Sequence, residues 1–212
     1  MVLPDPVPGV LSDGTIVRFA PVTPAHREQL RHGFEETSPE SRYRRFLSPL
    51  SRLNEQQLDY LTNVDFVDHV AWGAEIAETR RGIAIGRWIR LADEPDTAEA
   101  AVAVVDEFQG RGLGRALLWL LAESAIERGV RQFRGEVLAE NEPMLALLEE
   151  LGAMPLARTG AVIEIRVPLP KTIDELLKSP APGILRAAAE GRVVARLDET
   201  GRVRFEAAPD SA

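Results

Sequence analysis

Hydrophobic positions along the chain change their period several times, and each change marks an element. After the Asp13-Gly14 turn, residues 15–19 alternate as a strand does. Thr23-Pro24 and Ser38-Pro39 are helix starts, each a capping hydroxyl followed by proline in the first turn. They predict a helix to Glu36 and a shorter one that sets Tyr43, Phe46 and Leu47 on one face; residues 54–61 read as a third helix. Alternation returns over 70–78, with Val70, Trp72, Ala74 and Ile76 on one face. Arg80-Arg81-Gly82 then turns the chain into a strand over 83–91, which predicts an antiparallel hairpin. The loop Asp93-Glu94-Pro95-Asp96 leads to residues 97–105, nearly all Ala and Val at their end, the mark of a central strand buried on both faces. The period next becomes helical, with Leu113, Ala116, Leu117, Leu120 and Leu121 as an apolar stripe ended by Gly129. A strand over 132–138 follows. Asn141 and Pro143 open another helix, whose inner stripe is Met144, Leu147, Leu148 and Leu151 and whose stop is Gly152. Strands over 154–158 and 161–167 end the pattern.

This pattern divides the chain into an extended, proline-bearing lead-in (1–14), an α/β domain (15–170) and a tail (171–212). The tail is expected to hold a short helix at 171–178, a linker at Pro180-Ala181-Pro182-Gly183 and a small hairpin about Thr200-Gly201.

Composition narrows the chemistry. With no cysteine, there is no disulfide, thiolate metal site or thiol nucleophile. The formal net charge of −8 argues against nucleic acid or an anionic membrane as partner. No segment approaches the ~20 unbroken apolar residues of a membrane-spanning helix, and residues 1–9 lack a basic leader, so a cytoplasmic protein is expected. No His/Asp/Glu spacing points to a metal, and no G-x-S-x-G points to a serine nucleophile. The oligomeric state is open.

The informative segment is 101–118, AVAVVDEFQGRGLGRALL. A strand runs into Gln109, Gly110, Arg111, Gly112, Leu113 and Gly114, which open an amphipathic helix. Glycines let the backbone turn sharply and approach a ligand closely. The unpaired amides and positive dipole end of the helix make a seat for an anion such as a diphosphate, with Arg111 and Arg115 adding charge nearby. A nucleotide P-loop would need Gly-Lys-Ser/Thr where Gly114, Arg115 and Ala116 stand, and the G-x-G-x-G spacing after antiparallel strands fits a dinucleotide fingerprint poorly.

The pattern Q-x-x-G-x-G after a strand resembles the acetyl-CoA signature of the GNAT N-acetyltransferase superfamily, and the order of elements over 15–167 is similar to that family's. Residues 141–152, NEPMLALLEELG, resemble its second cofactor helix. The resemblance implies a twisted, mixed but mostly antiparallel sheet flanked by helices. It implies acetyl-CoA as co-substrate, held by Gln109 through Arg115, by backbone amides near Val104 and Val105, and by Asn141, which on its own reading is a helix cap. Leu148 stands where many members carry a tyrosine that protonates the departing thiolate; a thiol with a pKa near 8.5 leaves tolerably without an acid.

Residues 38–47 and 61–70, together with Ala98-Glu99, further resemble the bacterial Pat-type protein-lysine acetyltransferase domains. Those relatives often carry a fused sensor or synthetase-like portion, which the fourteen residues before the first strand leave no room for. The resemblance implies protein substrates with an exposed lysine and makes Glu99 the general base. A lysine amine with a pKa near 10.4 must lose a proton before it attacks, and partial burial of Glu99 would suit it to accept that proton. Without a cysteine, direct attack in a ternary complex is expected. A small-molecule amine acceptor, and a non-catalytic acyl-CoA-binding module, are the alternatives. Glu75 reads as part of a solvated sheet face, His69 as a structural histidine, and Arg42, Arg44 and Arg45 as a solvated helix run.

Overall fold

The computed structural model describes residues 3–178, 182, 185, 193–197 and 203–207. Strand β1 (Val7–Val10) pairs antiparallel with β2 (Ile16–Pro21), so the lead-in holds a strand. Prolines at alternate positions are compatible with an edge, where one side of the backbone needs no partner. A 3-10 turn (Pro24–His26) leads into α1 (Arg27–Glu36), followed by α2 (Pro39–Phe46) and α3 (Glu55–Thr62). The Ser38 hydroxyl accepts from the Ser41 amide at 3.1 Å, and Asn54 and Gln57 form a reciprocal cap on α3. Tyr43 is 43% exposed, so the face expected of α2 is not a buried one.

The central hairpin runs from β3 (His69–Ile76) to β4 (Gly82–Leu91) and on to β5 (Glu94–Val104). The four-residue loop expected before β5 is a tight turn at Ala92–Asp93, with Glu94 already in the strand. Helix α4 (Leu113–Glu127), β6 (Gln132–Leu138), α5 (Glu142–Glu150), β7 (Met154–Thr159) and β8 (Val162–Pro168) complete the sheet, in the order β1-β2-β3-β4-β5-β6-β8-β7. Only the β5–β6 neighbours run parallel. Beyond the sheet lie α6 (Ile173–Lys178) and an antiparallel pair, β9 (Val193–Leu197) with β10 (Val203–Ala207). The expected linker at 180–183, apart from Pro182, and the turn at Thr200-Gly201 lie outside the described residues.

Helix α4 lies across β3, β4 and β5, with its whole predicted stripe buried. Its close approach depends on Gly86 of β4, where a Cβ would stand 3.0 Å from Leu121 and 3.3 Å from Leu117. Trp88, fully buried, donates its indole N–H to the Ser124 hydroxyl at 2.9 Å and ties the same two elements by a hydrogen bond.

Two departures from the sequence pattern open the molecule. Pairing between β5 and β6 covers only Thr97↔Gln132, Ala98↔Phe133 and Glu99↔Arg134, after which the strands diverge. Residues Ala100–Val104 are therefore only partly buried, not covered on both faces as their composition suggests. In α5 only Leu148 is buried; the rest of its apolar stripe faces the resulting split.

Candidate active site

The split between β5 and β6 widens into a cleft of about 1350 Å³, above the roughly 300–1,000 Å³ of an ordinary small-molecule site. Its walls bring together the end of β5, the glycine turn and the start of α5, with Met144, Leu147 and Leu148 as an apolar side.

The glycine turn is shaped by positive φ at Gly110 (71°) and Gly112 (86°), a conformation that a side chain resists. Gly112 caps α4, and the Ala116 amide is the first to close on its carbonyl, at 3.0 Å. The amides of Leu113, Gly114 and Arg115 lie ahead of that bond and have no acceptor among the described residues. Of these residues Gly114 and Arg115 line the cleft, at the positive end of a fifteen-residue helix. Gln109 fixes the turn from inside: its amide nitrogen donates to the Val104 carbonyl at 3.1 Å and to the Ser41 hydroxyl at 3.1 Å. The Leu113 side chain is in the core and does not line the cleft.

The charge expected at the turn is already paired. Arg111 bonds Asp13 at 2.8 Å and lies over the Phe108 ring, while Arg115 pairs with Glu150. The turn's positive character therefore rests on its amides and helix dipole. Asn141 accepts from the Met144 amide at 3.4 Å as an N-cap, and its side chain borders the cleft.

Strand alternation separates Val104 from Val105. Both residues line the cleft, but the Val105 amide donates to the Ile83 carbonyl at 3.0 Å, so that amide is already engaged. Val104 pairs with Ala84, and its N–H and C=O point the other way, toward the split. Val102 shares that orientation and has no strand partner on that edge, because β6 has turned away. Sequence reasoning missed Val102; the two-residue period from Val104 was the signal available.

Glu99 lies apart from the glycine turn. It faces a smaller cavity of about 280 Å³ that adjoins the cleft and shares Ala101, Arg45 and Arg87 as wall residues. It is exposed, and the partial burial expected of it is absent. Arg87 is 5% exposed; it meets His69 Nε2 at 3.0 Å and donates to the Leu61 carbonyl at 3.0 Å. Burial lowers His69 to about 4, with Arg87 acting the same way, so the ring is neutral and accepts at Nε2. The arginine run of α2 is not uniformly solvated: Arg44 pairs with Glu40 at 2.6 Å, Arg42 reaches the Ser51 carbonyl, and Arg45 turns inward toward Arg87 and Glu99.

Two carboxylates hold structure instead. Glu75, 4% exposed, bonds Arg18 at 2.5 Å, Arg80 at 3.0 Å and Gln29 at 3.1 Å, so it is no member of a solvated face. Asp106, just past β5, accepts from the Ser38 amide at 2.7 Å and from the Ser38 and Ser41 hydroxyls at 2.9 and 2.7 Å. Burial pushes its carboxyl up, but these donors outweigh burial and hold it below the usual carboxylate range. Asp106 thus clasps the N-terminus of α2 to the strand that feeds the glycine turn.

Comparison with known proteins places this architecture. The acetyltransferase (GNAT) family model matches residues 27–153. The acetyltransferase Pat of Mycolicibacterium smegmatis is 33% identical over 78% of this chain and 49% of its own length. An acetyltransferase of Pseudomonas aeruginosa is 31% identical over 67% of this chain and 77% of its own. The crystal structure of the GNAT domain of S. lividans PAT superposes with a TM-score of 0.72 at 35% identity, covering 77% of this chain and 97% of that one. The chain spans about half the length of the Mycolicibacterium relative.

Proposed function

Since the chain belongs to the GNAT acetyltransferase family, we propose that it transfers an acetyl or short acyl group from acyl-CoA to a primary amine, and that this amine is a protein lysine side chain. The observation that carries the reading is the adjacency of two differently built spaces: a cleft with outward strand backbone and the glycine turn for the acyl-CoA and, sharing the Ala101 wall, a cavity at Glu99 for an amine.

The residues fit acyl-CoA. Amides of the turn at Gly110, Gly112, Gly114 and Arg115 suit its diphosphate, the outward backbone of Val102 and Val104 suits the amide-bearing arm, and Asn141 borders the same cleft. The co-substrate supplies an activated thioester. The chain supplies position and proton handling. A lysine ammonium must lose its proton to attack, and Glu99, on the open side of β5, accepts it directly or through a water molecule. With no cysteine to carry the acyl group, the amine attacks in a ternary complex. Leu148, 7% exposed and part of the core, offers no proton to the departing thiolate.

Lysine as the acceptor rests on the 31–35% identical relatives named as acetyltransferases, two of them Pat proteins. Calorimetry with acetyl-CoA, then mass spectrometry of lysate proteins acylated by the purified chain, tests the reading. New acyl-lysines are expected. Acylation confined to small amines moves the acceptor to that class; tight acyl-CoA binding without acylation of any amine makes the chain a binding module.

A further inference from the structure

The cavity at Glu99 contains more positive charge than the proton transfer requires. Its floor is the face of the sheet on which Ala101 stands opposite Arg87 and Glu99 opposite Ile89. Arg87 and Glu99 are therefore diagonal neighbours, with backbones roughly 7–8 Å apart. Arg45 enters from the end of α2, its guanidinium 4.9 Å from the Phe46 ring centroid. Gln57 and Tyr60 of α3 close the remaining side, with Tyr60 stacked on His69 at 5.5 Å.

Arg45 is unlike most partly buried arginines of this chain. Most of its partly buried arginines reach a carboxylate or a backbone carbonyl, such as Arg18 to Glu75, Arg90 to Asp68 and Arg128 to the Phe66 carbonyl. Arg45 has no hydrogen bond and no carboxylate within 4.0 Å among the described residues. Arg87 has two neutral partners, a carbonyl and an uncharged imidazole, and no carboxylate. Glu99 lies within electrostatic range of Arg45 but forms no ion pair with either guanidinium. Two cations face one carboxylate in a confined space, and burial makes each unneutralised guanidinium costly. Burial also lowers Arg87 to about 9, with Arg45 adding to the effect, which still leaves it charged at neutral pH.

We propose that Arg45 and Arg87 form a carboxylate-binding subsite of the acceptor cavity, so that the preferred acceptor presents an amine to Glu99 and a carboxylate to the arginines. A planar guanidinium fork suits a carboxylate by paired hydrogen bonds, and the third charge completes the balance that the cavity lacks. The carboxylate is an acidic side chain beside the target lysine, or the α-carboxylate of a free amino acid; the chemistry is the same. The inference rests on the placing of the acceptor amine at Glu99, but its test does not depend on turnover.

Equilibrium binding to the full chain saturated with CoA, which cannot acylate, separates the two. A lysine peptide flanked by glutamate is compared with its glutamine-flanked twin, and free lysine with lysinamide. At least one carboxylate-bearing member is expected to bind roughly 10-fold tighter than its neutral twin, in keeping with one charge-assisted hydrogen-bonded pair. A preference in the peptides identifies a protein source, and one in the free amino acid a small acceptor. Arg45→Gln is expected to erase the preference and Arg45→Lys to restore part of it, with thermal melts verifying that both variants fold. Arg45 is chosen because truncating Arg87 would strip His69 and the Leu61 carbonyl of their buried partner. Equal binding within both pairs, or a preference unchanged in Arg45→Gln, overturns the subsite. Failure of the base assignment would leave these affinities intact and show only in the rate of Glu99→Gln.

Discussion

The two sides of β5 are built by different means. Toward β6 the strand and the glycine turn present backbone: the amides of Val102, Val104 and residues 113–115, shaped by two glycines and one helix end. Toward α2 and α3 the same strand presents side chains, with Glu99, Arg45, Arg87 and Tyr60 drawn from β5, α2, β4 and α3. The first side is local in sequence and tolerates any side chain that stays out of the way. The second is assembled from residues 12 to 54 positions apart along the chain, Arg45 to Glu99 being the widest, and each of its groups is chemically specific. A backbone surface suits a ligand that never changes; a side-chain surface suits one that has to be discriminated.

The contrast breaks most sharply at Gly114. It has ordinary helical φ and 3.8 Å of room to Leu147, so Gly114→Glu should fold normally while placing a carboxylate on the diphosphate seat. Loss of measurable acetyl-CoA binding by calorimetry, with an unchanged melting curve, is expected; retained affinity would remove the turn from the site. Gly112→Glu is the poorer probe, since its φ of 86° strains any side chain.

On the other side, Glu99→Gln should leave acetyl-CoA affinity intact and lower the rate by roughly 10²–10⁴. The deficit should narrow as pH approaches the amine's own pKa, where free amine needs no base. A rate within a few-fold of wild type at neutral pH would transfer the role to another group. Glu75→Gln gives the structural counterpart: it breaks a buried ion pair and should reduce stability by about 3 kcal/mol in denaturant melts, with a near-normal rate in the fraction that remains folded.

Leu148→Ala should cost about 2 kcal/mol, the low end for a buried leucine, because the side chain borders an open cleft as well as the core. A loss above about 4 kcal/mol would show that α5 is held far more rigidly than its exposed stripe indicates.

The effect smallest at neutral pH concerns His69. Its folded pKa of about 4 lies below the unfolded 6.5, so the native state is favoured while the ring is neutral. That contribution is complete above pH 6.5 and is lost as pH falls toward 4, where the folded ring also takes up a proton. His69→Gln retains an acceptor for Arg87 and should flatten the stability profile between pH 6.5 and 4; an unchanged slope there would assign it to carboxylates.

Legibility followed the same division. The strand, the glycines and the helix that make the turn are contiguous, so the turn, its family resemblance and the order of elements could be read directly. The stripe of α4 was equally clear because its partners are simply the sheet. What was hidden depended on distant pairing. The composition of residues 100–104 suggested a fully buried strand, because nothing local reveals that β6 peels away after Arg134. Val105 looked equivalent to Val104 until the Ile83 carbonyl fixed which one faces outward. Arg45 looked like the rest of its run, and Glu75 like surface, since only tertiary packing brings Arg87 to the first and Arg18 to the second. β1 was concealed by prolines that an edge strand accommodates.

The Asp106 clasp has a mechanical consequence. Helix α2 is eight residues long, a stiff rod of about 12 Å. One end is bolted by three hydrogen bonds to Asp106, just ahead of the glycine turn, and the other carries Arg45 into the cavity at Glu99. The two sides of β5 therefore share a single strut, and neither can be repositioned alone: a tilt of the rod by a tenth of a radian moves its far end by about 1 Å. In the proposed reaction, the register between acyl donor and acceptor would be set less by either surface than by the length of the piece that spans them.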